Sequence, residues 1–101
     1  MKVNEFVKKY GWDAAIDLWC GAFDLYNNDL QILNGMVCSF SNNQFLFDLV
    51  DLKRFIESYE LIERDFGLLD IAEYQYMISA SYSESYWVRV KQAIKDVESC
   101  Q

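Results

Sequence analysis

The chain has 101 residues, and its 16 Asp and Glu residues against 9 Lys and Arg residues give a formal net charge of −7. It contains no histidine and no proline, and it has 3 cysteines. A chain of this length is expected to form one domain, residues 1–101, around a single hydrophobic core. The absence of histidine removes the commonest general base at neutral pH and the commonest zinc and haem ligand. We therefore predict a protein that is not an enzyme and holds no metal or other cofactor.

The apolar content predicts a folded, water-soluble chain. Hydrophobic residues make up 52% of the sequence and aromatic residues 17%, well above the content of disordered chains. No run approaches the roughly 18 consecutive apolar residues of a membrane helix, and the first residues lack the apolar stretch of a signal peptide. Cys20, Cys38 and Cys100 fit neither a disulfide framework nor a paired zinc motif. We expect three reduced structural thiols in a cytoplasmic protein that does not bind membranes.

The first two predicted elements are short helices. Apolar residues from Val3 to Tyr10 recur at helical spacing, and Gly11 supplies a C-terminal stop. A second apolar series then predicts another helix face, made of Trp12, Ala15, Ile16, Trp19, Cys20 and Phe23. The predicted opposite face is acidic and consists of Asp13, Asp17 and Asp24.

The helical period fails between Leu25 and Asn43. Within this stretch Asn34-Gly35 separates two short apolar runs, and because both positions tolerate a positive φ, this pair favours a β-hairpin. A lone two-stranded hairpin is marginal in water, so it would have to pack on the helices or pair with another chain. An irregular Asn-rich loop fits the same residues, and the sequence leaves both interpretations open.

The longest predicted helix runs from Gln44 to Phe66, a stretch without a helix breaker. Asn42 or Asn43 can cap its start, and Gly67 can end it. Its apolar residues keep the helical period from one end to the other, which predicts one continuous buried face.

Two further helices are predicted after Gly67. One covers about Leu69 to Ile78, and a serine-rich stretch follows in which Ser83 or Ser85 can cap the last helix. The predicted inward face of that last helix is Trp87, Val90, Ile94 and Val97. The predicted fold class is therefore mainly α: a small helical domain of about four to five helices, with a short β-hairpin around residues 30–40.

The negative charge is concentrated in two blocks of the sequence. No basic residue occurs from Tyr10 to Leu52, where there are six aspartates, and the block from Asp65 to Val88 has four acids and no base. Direct binding of nucleic acid is not expected, since it depends on cations that contact phosphates. An acidic surface can instead occupy a basic groove that normally holds nucleic acid. The alternative is that the charge serves solubility alone.

The predicted partner-binding residues combine these acids with aromatic anchors. Paired carboxylates at helical spacing also occur in catalytic and metal sites, but here the spacing is their only such feature. Tyrosine and tryptophan are common at interface hot spots, although these side chains could equally pack the last two helices together. The predicted set is Asp13, Asp17, Asp24, Asp29, Asp48, Asp51, Tyr82 and Tyr86.

Three segments resemble small acidic early-region accessory proteins of lambdoid phages and enterobacterial prophages. They are residues 3–11 (VNEFVKKYG), 52–67 (LKRFIESYELIERDFG) and 91–100 (KQAIKDVESC), while residues 22–47 take no part in the resemblance. Proteins of this kind often bind a host machine such as a restriction enzyme, the host recombination nuclease or a CRISPR surveillance complex.

The resemblance implies an anti-CRISPR-like or other anti-defence inhibitor in the cytoplasm of a bacterial host cell. Its expected partner is a host protein or nucleoprotein complex with a basic groove. The alternative is a self-associating or regulatory protein-interaction module, such as a homodimer formed through the aromatic surface or the hairpin.

Overall fold

The computed structural model describes residues 1–79 and 84–101. Its elements in chain order are α1 (Val3–Tyr10), α2 (Trp12–Cys20), a 3-10 turn (Tyr26–Asn28), β1 (Leu30–Leu33), β2 (Met36–Ser39), β3 (Phe45–Asp48), α3 (Leu49–Asp65), α4 (Leu69–Ile78) and α5 (Ser85–Glu98). In the described ranges these are five α-helices and one three-stranded sheet, which confirms the predicted mainly α fold class. The chain groups into two compact units, Met1–Ile56 and Glu57–Gln101.

The first unit begins with two helices joined at one glycine. Val3, Phe6 and Val7 of α1 are buried, as their spacing predicts. Gly11 has a φ of 92°, a conformation that L side chains rarely adopt, and its N–H closes the last turn of α1 on the Val7 carbonyl at 2.8 Å. The chain can therefore start α2 immediately after α1 ends.

The predicted apolar face of α2 is wrong in part. The helix ends at Cys20, and the residues that it buries are Ala15 and Leu18. Trp19 is 43% exposed, and its ring lies under Lys53 Nζ at 5.9 Å from the ring centroid. Cys20 is exposed and is not a buried structural thiol, because a nine-residue helix that turns Ala15 and Leu18 inward must point its opposite side outward.

The hairpin prediction at Asn34-Gly35 is confirmed, and the Asn-rich loop is wrong for this stretch. Both residues have positive φ, 51° for Asn34 and 77° for Gly35. The flanking strands β1 and β2 pair antiparallel, and β3 pairs antiparallel with the other edge of β2. The third strand gives the hairpin the further pairing that a lone hairpin lacks.

The long-helix prediction is wrong at its start. Phe45–Asp48 form β3, and α3 begins only at Leu49. The apolar spacing of Phe45 and Leu49 fits a helix, but pairing with β2 overrides that local pattern, and aromatic side chains suit a strand. The other end of the helix agrees with the prediction, since α3 ends at Asp65 and Gly67 adopts a φ of 80°.

Asn42 and Asn43, the predicted N-caps of the long helix, lie instead in the connection between β2 and β3. Asn42 Oδ1 accepts a 2.9 Å hydrogen bond from the Gln44 N–H, and Asn43 adopts a φ of 56°. Asn43 Oδ1 also accepts a 2.5 Å hydrogen bond from Gln31 Nε2, which reaches across from β1. These asparagines therefore shape a strand connection.

The core of the first unit is built around Phe6, whose side chain is fully buried. Its ring centroid lies 4.7 Å from that of Tyr10, 5.5 Å from that of Phe23 and 5.8 Å from that of Phe47. The contacts with Phe23 and Phe47 are edge-on, the geometry that aromatic quadrupoles prefer. One phenylalanine thus packs against both the loop after α2 and the sheet.

The second unit contains α4, α5 and the later turns of α3. The bounds of α4 agree with the prediction, and Val90, Ile94 and Val97 of α5 are buried as expected. Trp87 is half-buried, and its ring lies 6.4 Å from both Phe66 and Tyr76 between centroids.

The predicted cap of α5 differs from the structure. Its N-cap is Glu84 and Ser85 is its first residue, so Ser85 does not cap it. Ser83, the other predicted cap, lies outside the described residues.

Candidate protein-interaction surfaces

Asp13 and Asp17 lie on the outer side of α2. Both side chains are exposed, and a separation of four residues puts them one turn apart on the same face. Cys20 follows Asp17 by three residues and is exposed as well, so its thiol shares this acidic face. The pair stands as the spacing predicts, on the side of α2 opposite its buried residues.

Asp24 lies in the loop after α2, and its carboxylate shapes the 3-10 turn. Asp24 Oδ2 accepts a 2.6 Å hydrogen bond from Asn27 Nδ2, and its Oδ1 accepts from the Asn27 N–H at 3.3 Å. The Asn28 side-chain amide donates to the Asp24 carbonyl at 2.7 Å. Asp24 is therefore not part of a helical stripe with Asp13 and Asp17, because α2 ends before it.

Asp29 holds the loop before β1 against the end of β2 through hydrogen bonds. Its Oδ2 accepts hydrogen bonds from the hydroxyls of Ser39 at 3.0 Å and Ser41 at 2.9 Å, and its Oδ1 accepts from the Ser41 N–H at 2.8 Å. The bond from the Ser41 hydroxyl, followed by that from Ser39, holds the pKa of Asp29 below its usual value. The carboxylate is exposed, but its first role is to position this part of the loop.

Asp48 and Asp51 lie at the junction of β3 and α3. Asp48 is the last residue of the strand and is half-buried, whereas Asp51 is exposed in the first turn of the helix. An acid in the first helical turn is favoured by the positive end of the helix dipole. This turn therefore stabilises Asp51 without an ion pair.

Four of the six predicted aspartates make no contact that neutralises them. In residues 1–79 and 84–101 the side chains of Asp13, Asp17, Asp48 and Asp51 form no hydrogen bond and no ion pair. Their negative charge is therefore available to a partner.

Tyr86, the predicted aromatic anchor, is tied to Asp65 at the end of α3. Its hydroxyl donates a 2.8 Å hydrogen bond to Asp65 Oδ2, while Arg64 Nε donates to Asp65 Oδ1 at 2.8 Å. The bond from Arg64, followed by that from Tyr86, lowers the pKa of Asp65, whereas burial and then the bond to Asp65 raise the pKa of Tyr86.

The ring of Tyr86 packs edge-on against Trp87 at 5.2 Å, and 43% of the residue is exposed. Tyr86 therefore packs against a neighbouring helix residue and is also exposed at the surface. The sequence had left these two roles open as alternatives. Tyr82, the other predicted anchor, lies outside the described residues.

The outer face of α4 is an apolar surface that the sequence analysis missed. Ile71 is 44% exposed, Tyr74 60% and Ile78 59%, and their spacing of three and four residues aligns them along one side of the helix. The neighbouring Leu68 and Met77 are 64% and 72% exposed. The available signal was the sequence of α4, whose apolar residues fall on two sides of the helix, so that one contact cannot bury them all.

The outer face of the sheet also exposes apolar side chains. Leu33 pairs with Met36 across the hairpin, so these two side chains project from the same side of the strands. Phe45 lies opposite Cys38, where the register between β2 and β3 shifts. Leu33 is 47% exposed, Met36 36% and Phe45 51%, while Cys38 is buried.

A cleft of about 280 Å³ opens on the second unit and is lined by Glu57, Glu60, Leu61, Arg64 and Arg89. Its two acids and two bases balance, so the lining favours neither an anion nor a cation. The Arg89 side chain already has a partner that does not line the cleft, because its Nη1 donates a 3.2 Å hydrogen bond to Ser58 Oγ. The described residues contain no group of three or more His, Cys, Asp or Glu side chains that could hold a metal ion.

None of the helices in the described ranges is long and apolar enough to cross a membrane. Comparison of the chain with protein-family models, with curated proteins and with solved structures finds no match. The resemblance of three segments to phage accessory proteins therefore stays a prediction.

Proposed function

We propose that this chain is a phage- or prophage-encoded binding protein, not an enzyme, that inhibits a host defence complex. It acts by presenting negative charge to a basic groove that normally holds nucleic acid. The observation that carries the proposal is the set of four aspartates on the first unit, Asp13, Asp17, Asp48 and Asp51, that lack a partner in the described chain.

The charge distribution supports an electrostatic role for these aspartates. The first basic residue after Lys9 is Lys53, so the elements that carry the four aspartates contain no cation before that point. An exposed carboxylate without an intramolecular partner loses no internal bond when a lysine or arginine of another protein approaches it. Complementary charge also steers encounter and raises the association rate.

Competition with DNA tests the proposal directly. The chain is mixed with purified restriction enzyme, host recombination nuclease and CRISPR surveillance complex, and the binding of double-stranded DNA to each is measured at increasing salt. We expect displacement of DNA from one of them, with an affinity that falls steeply as salt rises, because exposed charges are screened within about 10 Å at 0.1 M.

A matched pair of variants separates local charge from net charge. Asp13→Asn with Asp17→Asn removes two unpaired carboxylates, and Glu60→Gln with Glu63→Gln changes the net charge by the same amount on α3. The aspartate variant is expected to lose inhibition and the glutamate variant to keep it. Equal behaviour of the two variants, or displacement of DNA that salt does not weaken, would overturn the proposal.

A second candidate function is a self-associating interaction module, favoured by the sheet face that exposes Leu33 and Met36 and by the exposed Phe45 of the same sheet. Two such faces could bury each other's apolar side chains in a homodimer. Light scattering at micromolar concentration distinguishes the candidates. A dimer that Phe45→Ser dissociates supports self-association through this face, and a monomer excludes it.

A further inference from the structure

The outer face of α4 carries apolar side chains where a surface helix ordinarily carries polar ones. Ala72, on the opposite side, is fully buried, and Leu69 and Tyr76 near it are half-buried. Ile71, Tyr74 and Ile78 point the other way and remain exposed. A helix that is apolar on both sides is usually buried on both sides. Among residues 1–79 and 84–101, packing covers only one side of α4.

Carboxyl groups border this apolar face. Asp70 lies next to Ile71 on α4, and Glu73 stands one turn further along toward Glu98 of α5. A hydrogen bond to Glu98 is the main reason why the pKa of Glu73 is raised, with burial and the charges of Glu98 and Asp70 adding to it. Asp70, Glu73 and Glu98 therefore carry like charges close to one another, a setting that favours a cationic group beside this face.

The charge around α4 decides between two kinds of occupant. Residues 57–101 contain nine acids and four bases, and the block from Asp65 to Val88 contains no base. A second copy of this chain would bring a surface of the same sign against Asp70, Glu73 and Glu98. A partner with lysine or arginine beside an apolar stripe would bury Ile71, Tyr74 and Ile78 and neutralise the acids in one contact.

We propose that the outer face of α4 is a docking surface for an amphipathic helix of another protein, with an apolar stripe along one side and lysine or arginine beside it. The 10 residues of α4 span about 15 Å, so about three turns of a partner helix match its length. Apolar anchors on the partner at three- and four-residue spacing would lie along Ile71, Tyr74 and Ile78. This surface lies on the second unit and does not use the aspartates of the proposed function.

Two synthetic peptides of about 15 residues test the proposal with the full chain. Both carry leucine at positions i, i+3, i+4 and i+7, and they differ only in having lysine or glutamate beside the leucines. Binding is followed by fluorescence anisotropy of the labelled peptide. We expect saturable binding of the lysine peptide and at least about tenfold weaker binding of the glutamate peptide.

A matched variant assigns the binding to α4. Ile71→Ser with Ile78→Ser is expected to weaken binding of the lysine peptide at least about tenfold. Val50→Ser, which removes an apolar side chain that is 77% exposed on α3, is expected to leave it unchanged. Far-UV circular dichroism confirms that each variant keeps its helices.

Four results would overturn the proposal: no saturable binding of the lysine peptide, equal binding of both peptides, equal loss in the α4 and Val50 variants, or a dimer that the α4 variant dissociates. The proposed function fails separately, since DNA competition depends on Asp13 and Asp17 and the α4 variant leaves both unchanged.

Discussion

Ser58 donates a 2.7 Å hydrogen bond to Asp96 Oδ2 at a place where Ser58 is fully buried and Asp96 is only 3% exposed. The bond joins α3 to α5. Arg89 Nη1 donates to Ser58 Oγ at 3.2 Å, and Gln92 Nε2 donates to Asp96 Oδ1 at 2.9 Å. A carboxylate taken out of water is stable only when donors surround it, and this network supplies them.

We predict that Ser58→Ala lowers the free energy of unfolding by about 1–3 kcal/mol, because the variant takes a donor from a buried carboxylate. Urea unfolding followed by circular dichroism measures the change. Ser85→Ala is the control, since Ser85 is exposed at the start of α5, and its effect should stay within about 0.5 kcal/mol. Equal stability of the two variants would contradict a structural role for the network.

Asp29 gives the first unit a pH-dependent contact. The hydrogen bonds from Ser41 and Ser39 hold its pKa below the usual value of about 3.9. A carboxyl whose folded pKa is depressed adds stability above its unfolded pKa, and that stability is lost as pH falls through the folded value. The Ser41 amide proton, which Asp29 Oδ1 accepts, should therefore shift in the NMR spectrum with a midpoint below about pH 3.9.

Asp29→Asn is the matched variant for this titration. Asn tolerates the φ of 56° at this position, so the backbone of the loop is expected to persist while the titrating group is lost. The shift of the Ser41 amide should then disappear. A midpoint at or above the usual aspartate value in the unmodified chain would contradict the assignment.

Tyr86 is expected to ionise only at alkaline pH above the usual tyrosine value of about 10, because burial and its bond to Asp65 raise its pKa. The raised folded pKa means that this group stabilises the fold below its unfolded pKa and stops doing so as pH rises through the folded value. The ultraviolet absorbance of tyrosinate measures the titration. Tyr86→Phe should remove a phase that lies above about pH 10.

Asp65→Asn serves as the electrostatic control for Tyr86. It removes the negative charge that opposes ionisation of the phenol while leaving an oxygen that can accept the hydrogen bond. The Tyr86 phase should therefore move to lower pH. A titration that stays in place in this variant would show that burial alone sets the pKa.

The turn between β1 and β2 depends on its glycine. Gly35 has a φ of 77°, and a Cβ added there would meet no atom within 4 Å, so any cost of substitution comes from the backbone conformation. We predict that Gly35→Ala lowers the free energy of unfolding by about 1 kcal/mol. Gly35→Asn should cost less, because asparagine tolerates this conformation, and urea unfolding of both variants checks the order.

The three cysteines should differ in reactivity. Cys20 is exposed, whereas Cys38 and Cys100 are buried. A thiol-specific reagent such as Ellman's reagent should modify one thiol per folded chain quickly and the other two only after unfolding. Cys20→Ser should abolish the fast reaction, and a fast reaction that survives this change would contradict the placement of Cys20.

The candidate site could be predicted only where exposure follows from local spacing. Asp13 and Asp17 are separated by one helical turn, so the sequence alone places them on one face. Asp29 differs because its role depends on where the chain returns, and Ser41 reaches Asp29 only through the pairing of β1 with β2. Sequence spacing carries no information about such returns.

Contacts and dihedral preferences within a few residues predict the helices α1, α4 and α5 and place Asp13 and Asp17 on one face of α2, whereas they leave a hairpin and a loop equally open at Asn34-Gly35. Tertiary contacts make Phe45–Asp48 a strand, since β2 must be present to pair with them. Tertiary contacts also leave the apolar outer side of α4 exposed. Burial depends on which surfaces meet, and a local pattern leaves that open.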